Sequence, residues 1–398
     1  MKRLSTGKGE NKMHIQNWRF LKRAIATAMV SLSVVSFSTL GMAQREDANA
    51  IFATAPKVST RIDGVSVFAA PPKGFNPMAA TNVELLTYGL PQRPDAAADP
   101  KAYGVWEKAM LALKTHVTNV EAKPYTSRDM KPTGAVETAN VDGTTSVGTY
   151  NWSGIGNTNK NTQWNAKTSF TTVYSVWSVP VANPPFGQVP CTDGPWWEVT
   201  WNGIDGYGSG DVVQGGSSSY WDGGGCGGAI QYYGWVEWYP SYSILALSCG
   251  GSLCPVSPGD DFFVVTYASP GTSNQNVFVE DVTQQWSGTI NLAWQSGPGV
   301  VGNVAEYIVE RPCCNNGNDY PLSNYVYQFF SYSSAFDGAG KQFFPGSSAS
   351  STAIFTMYAD DGSTPISQPV YYGTAGNAGK YSIWFENENC AYVGGCAP

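Results

Sequence analysis

The stretch Trp197-Glu198-Val199-Thr200-Trp201-Asn202-Gly203-Ile204-Asp205-Gly206, continued by Asp211-Val212-Val213-Gln214-Gly215-Gly216 and by Tyr232-Tyr233-Gly234-Trp235-Val236-Glu237-Trp238-Tyr239-Pro240, decides the fold. It strings short aromatic and β-branched runs between glycine-rich turns, the signature of successive β-strands. Side chains alternate along a strand, so Trp197, Val199 and Trp201 share one surface, and Tyr233, Trp235, Glu237 and Tyr239 share another. Glu237 is an acid inside an aromatic stripe, which points to a groove rather than a plain core face. Gln214 is a neutral amide ending a Val-Val run, and the two glycines after it allow close approach of a ligand or another backbone.

Candidate strands within and around this stretch are 170–179, 196–201, 211–214, 230–239, 261–267, 276–282, 305–310, 353–358 and 381–385. They are short, rich in Val, Tyr, Phe and Trp, and punctuated by Gly, Pro, Asn and Ser. The body beyond residue 140 therefore reads as all-β, two packed antiparallel sheets with one face lining a cleft. No fixed internal period supports a propeller or solenoid.

Charge divides the 398 residues unevenly. Beyond residue 140 only Lys160, Lys167, Arg311, Lys341 and Lys380 are basic, against nineteen acids, a net charge of −14; the first 140 residues carry +7. An acidic, lysine-poor body argues against nucleic acid or anionic membrane as partners and suits work at low pH, where few bases remain to repel one another. Both histidines, His14 and His116, lie in the basic part. A body released from it has none, which excludes Ser-His-Asp and Cys-His catalysis and histidine zinc sites there; no cofactor and no metal are expected.

The N-terminus carries the pattern of a secretory signal over residues 1–43: a basic stretch from Lys2 to Arg23, an apolar run from Ala24 to Leu40, and small residues at Gly41 and Ala43. A single-pass anchor is the alternative reading. All eight cysteines fall in the acidic body, as expected of an exported, disulfide-bonded chain. Short loops make Cys249–Cys254 and Cys390–Cys396 the expected pairs, with Cys191–Cys226 third. Residues 44–140 lack cysteine, hold one helical pattern near 105–113, and oppose the body in charge; they read as a propeptide covering an acidic groove, with a spacer or small accessory domain as the alternative. That leaves 141–398 as the working domain.

On the strand Ala305-Glu306-Tyr307-Ile308-Val309-Glu310, Glu306, Ile308 and Glu310 share a face. A glutamate accepts a proton from water, and the Gln214 amide donates to an oxyanion at any pH. The order of Asn151-Trp152-Ser153-Gly154, Val176-Trp177-Ser178-Val179-Pro180, Trp201 to Gly206, Val212 to Gly216, Trp235 to Pro240, Pro258-Gly259-Asp260 and Ala305 to Glu310 resembles the glutamic peptidases, the eqolisin family. The resemblance implies a concanavalin-like sandwich of two antiparallel seven-stranded sheets, a secreted acid prepropeptidase acting on proteins or peptides, and a monomer. It implies a catalytic dyad at Gln214 and Glu306, with groove positions at Trp201, Asp205, Trp235 and Glu237. The glycine after Gln214 and the glycine-rich loop at 223–228 depart from the family pattern and bear on groove width. The rival is a carbohydrate-binding or glycan-cleaving sandwich. Glu306 and Glu310 lie about 13 Å apart along one strand, too far for a retaining carboxylate pair, which needs about 5 Å.

Overall fold

The computed structural model describes residues 47–123, 134–185, 194–224, 228–269, 274–294, 299–315, 318–348, 351–372 and 383–386. The segment 1–43 and the pairs Cys390–Cys396 and Cys191–Cys226 lie outside them. Cys249 and Cys254 are bridged, with Cα atoms 4.8 Å apart, as the Gly250-Gly251 turn between them allows. Among the described residues no helix is long and apolar enough to cross a membrane.

Two sheets pack face to face as a sandwich. Across the front sheet the strands run Val136–Ala139, Thr145–Thr149, Thr352–Tyr358, Trp152–Thr158, Val304–Glu310, Trp196–Asp205, Val212–Trp221, Gln231–Tyr239, Leu245–Cys249 and Asn119–Ala122. Every pairing is antiparallel except that of Thr145–Thr149 with Thr352–Tyr358. The back sheet runs Ile383–Glu386, Tyr327–Asp337, Phe170–Ser178, Asp261–Tyr267, Asn274–Asp281, Trp286–Ala293, Val65–Phe68 and Lys57–Ser59. Ile204, Val213, Val236, Trp238 and Tyr307 of the front sheet meet Trp177, Phe262, Val264, Val277 and Trp286 of the back one in the central core. Polar bonds also tie the layers across it: Trp177 Nε1 donates to Ser217 Oγ at 2.9 Å, Asn202 Nδ2 donates to the Val264 carbonyl at 2.9 Å, and Thr266 Oγ1 donates to Asn202 Oδ1 at 2.7 Å.

The Gln214 strand does not stop at the amide. It continues through Gly215-Gly216-Ser217-Ser218-Ser219 to Trp221. Its two glycines permit the close approach that the sequence suggests: a Cβ at Gly215 would stand 2.5 Å from Val277 Cγ1 of the opposite sheet, so packing requires glycine there. A second correction concerns faces. Pairing of Trp201 with Gly216, and of Gly216 with Trp235, brings the two aromatic stripes onto one face of one sheet, where Trp197, Val199, Trp201, Tyr233 and Trp235 join a single cluster.

The segment before residue 124 folds onto the body. Asn119–Ala122 extends the front sheet, the hairpin of Lys57–Ser59 and Val65–Phe68 extends the back sheet, and Val65, Val67, Val117 and Val120 enter the central core. The expected helix forms as Pro100–Ala112, capped by the Asp99 carboxylate. It lies with Asn82–Thr87 over the outer face of the back sheet.

Candidate active site

One transverse row of the front sheet collects the candidate chemistry. Glu237 is paired with Gln214, Gln214 with Gly203, Gly203 with Glu306, and Glu306 with Gly156. Paired residues share a face, so Glu237, Gln214 and Glu306 rise from the same surface, with glycine between the amide and the second acid. Two strand spacings set the Gln214 and Glu306 backbones about 9–10 Å apart. Gly203 leaves the slot between them open: a Cβ there would meet Gln214 Cβ at 3.1 Å.

The Gln214 and Glu306 side chains are both fully buried. Gln214 Nε2 donates to Glu237 Oε2 at 2.8 Å, while Gln214 Oε1 has no partner among the described residues. The Glu237 oxygen accepts from the amide nitrogen, which sets the end of the amide that faces it. Glu306 Oε1 accepts the Tyr207 backbone N–H at 3.1 Å, and its Oε2 has no partner among the described residues. Gly206, at φ +110, turns the chain under this acid, where a Cβ would stand 3.0 Å from Glu306 Oε2. Burial pushes the Glu306 carboxyl well above its ordinary pKa; the Tyr207 N–H opposes this, and Asp205 and Glu310 reinforce it. Glu306 therefore holds its proton more tightly than a solvated glutamate does.

The groove candidates divide in two. Trp201 Nε1 donates to Glu310 Oε2 at 2.8 Å, and the Trp201 ring meets Trp152 edge-on at 5.0 Å between centroids. Trp235 is buried on the same face, and its Nε1 has no partner among the described residues. Asp205 instead fastens the approach to the Glu306 strand: Oδ2 accepts from Val301 N–H at 2.6 Å and Oδ1 from Asn303 N–H at 2.8 Å. Its pKa is raised to about 7 by burial and by Asp211. Gln214 Oε1, Glu306 Oε2 and Trp235 Nε1 are thus unsatisfied polar atoms on one face, an arrangement that calls for an external partner.

Residues 150–374, more than half of the chain, match the Peptidase A4 family. The chain belongs to that family, the glutamic endopeptidases known as eqolisins. Among solved structures it is similar to scytalido-glutamic peptidase with a peptide-based transition state analog, at 19% identity and TM-score 0.43, covering 60% of this chain and 98% of that one. It is also similar to SCP-B, an eqolisin in complex with the tripeptide Ala-Ile-His, at 18% identity and TM-score 0.42, covering 60% and 98%, and to aspergilloglutamic peptidase from Aspergillus niger, at 18% and 0.38, covering 48% and 99%. No curated protein matches the chain. For this eqolisin, family membership displaces the carbohydrate-binding reading.

Three contributors escaped the sequence. Tyr207 enters through its backbone N–H, which no side-chain pattern reveals. Glu310 was visible as a neighbour of Glu306 on one face, yet its partner Trp201 lies on another strand. Asn151 Nδ2 reaches Glu310 Oε1 at 3.5 Å, again through strand pairing.

Proposed function

We propose that this eqolisin is a secreted, acid-acting endopeptidase in which Glu306 and Gln214 hydrolyse peptide bonds without a cofactor. The observation that carries the reading is the row itself, with an acid and an amide facing each other across Gly203 and one unpartnered oxygen on each. In an opened, hydrated groove Glu306 ionises and takes a proton from water; the hydroxide forms a bond to the scissile carbonyl carbon. Gln214 donates its second amide hydrogen to the oxyanion, and Glu306 returns the proton to the leaving amine as the C–N bond breaks. Trp201 and Trp235 line the path of the peptide, and Glu237 keeps the amide oriented.

Residues 44–140 act as inhibitor of the same groove. Two contacts support this: Lys123 Nζ lies 4.8 Å from the Tyr233 ring centroid on the dyad-bearing face, and Glu137 is hydrogen bonded to the Tyr207 side chain beside Glu306. Purifying the exported form, sequencing its N-terminus and assaying casein cleavage from pH 2 to 7 tests all three parts. Activity confined to neutral pH, or full activity of the intact chain at pH 3, would end the corresponding part.

A further inference from the structure

An inhibitory segment is expected to leave once cut, yet residues 47–123 are built into the body at three levels. The first is the central core. Val117 is fully buried, and a Cβ on the body residue Gly288 would stand 2.5 Å from Val117 Cβ. The body strand thus carries glycine where this segment inserts a side chain, and withdrawing Val117 with Val65, Val67 and Val120 opens the space between the sheets.

The second level is the outer face of the back sheet. There Tyr174, Val176, Phe263, Val265, Tyr267, Phe278 and Tyr332 of the body are apolar and buried, covered by Phe52, Phe68, Leu85, Leu86, Trp106 and Met110. A face of that size and composition resembles a domain core cut in half rather than a transient contact.

The third level is polar and specific. Asp99 caps its helix and with Oδ2 accepts from Tyr332 Oη and from Gln342 Nε2, each at 2.9 Å. Asn49 Nδ2 donates to the Ala268 carbonyl at 3.2 Å, Thr289 Oγ1 donates to the Gly89 carbonyl at 2.5 Å, and Lys108 pairs with Asp261. Both sheets also lose an edge strand if the segment departs.

We infer that the outer face and sheet edges of the body are a permanent interface whose occupant is residues 47–123 of the same chain, retained as a separate, non-covalently held polypeptide after processing. Only the contacts at the groove rims, at Lys123 and Glu137, then need to change for the groove to open. The inference rests on the proposed processing of the N-terminal segment but not on the catalytic assignment, because it concerns association and not turnover.

The test uses the full chain carrying Glu306→Gln, to prevent self-digestion, with a protease recognition sequence placed in the turn Val141–Gly143, whose first residue is fully exposed. The folded protein is cut there at pH 5 and run on a sizing column in native buffer. We expect the two fragments to co-elute as one particle and to separate only in denaturant, with a single cooperative unfolding transition as before the cut. Recovery of the N-terminal fragment apart from the body in native buffer would overturn the inference, whether the body then stays soluble or precipitates.

Discussion

Gln214 Nε2 donates to Glu237 Oε2 at 2.8 Å, from one strand to its neighbour in the same transverse row. The bond links the Gln214 amide to an acid that the sequence marks as misplaced among aromatics and as a groove position, but not as a partner of Gln214. Its consequence is orientation: the nitrogen end is held toward Glu237, and the oxygen end is left without a partner. Replacing Glu237 by Leu frees the amide to rotate. The lost hydrogen bond, about 0.5–1.5 kcal/mol, should lower kcat about 2- to 10-fold. Glu237→Gln keeps an acceptor oxygen and should restore most of the loss. Steady-state kinetics on a fluorogenic peptide decides, and equal kcat for the Leu variant and the parent would remove Glu237 from this role.

The acid opposite supplies a sharper test. Glu306→Gln preserves shape and removes the base, so turnover should vanish while a transition-state analogue or peptide inhibitor still binds. Gln214→Ala should cost about 10²–10³ in kcat, the scale of a lost oxyanion donor. A folded Glu306→Gln chain cleaving casein at the parent rate contradicts the assignment.

Gly203 should be intolerant of any side chain. A methyl group there would crowd the Trp201 ring at 2.9 Å, the Val213 carbonyl at 3.0 Å and Gln214 Cβ at 3.1 Å. Gly203→Ala should cost about 1–3 kcal/mol of stability, as overpacking usually does, but reduce activity far more by filling the slot between the two reactive side chains. Comparing the loss of Tm with the loss of kcat separates these effects; proportionate small losses in both would mean that the slot is not where the substrate carbonyl sits.

Stability should be greatest in acid. Burial raises Glu198 from 4.5 to about 7, Asp205 from 3.8 to about 7 and Asp281 from 3.8 to about 8, and lifts Glu280 and Glu310 well above the usual range. A carboxyl that holds its proton more tightly folded than unfolded contributes stability that is complete below its unfolded pKa and is lost as pH climbs through the folded one. Tm should therefore fall between about pH 4.5 and pH 8. Glu198 lies in the inter-sheet core and accepts from Thr200 and, at 2.9 Å, from Ser219; Glu198→Gln should flatten the slope, with an effect of order 1–3 kcal/mol at pH 8. A Tm that rises from pH 4 to pH 8 would contradict this account.

Much of the site was legible before any coordinates. Aromatic and β-branched runs between glycine turns specify strands because local sterics and alternation act within a few residues, and the runs at 261–267 and 305–310 came through nearly unchanged as Asp261–Tyr267 and Val304–Glu310. Gln214, Glu237 and Glu306 stood out because burying polar groups in apolar stripes is costly, and that cost can be judged from neighbours in sequence. The strand that continues through Gly215 and Gly216, by contrast, reads as ending at Gln214 until the sheet pairing carries it on to Trp221.

What the sequence by itself determined is the all-β character, the identity of the exceptional side chains, and the charge opposition between the first 140 residues and the rest. Tertiary structure alone decided that Glu237, Gln214, Gly203 and Glu306 form one row, that Asp205 holds a loop, and that residues 47–123 complete both sheets. The physical reason is register. Strand pairing joins residues 11 to 103 positions apart through backbone hydrogen bonds common to every residue type, so no local pattern states which strand lies beside which. A shift of one residue would turn each of these side chains to the opposite face.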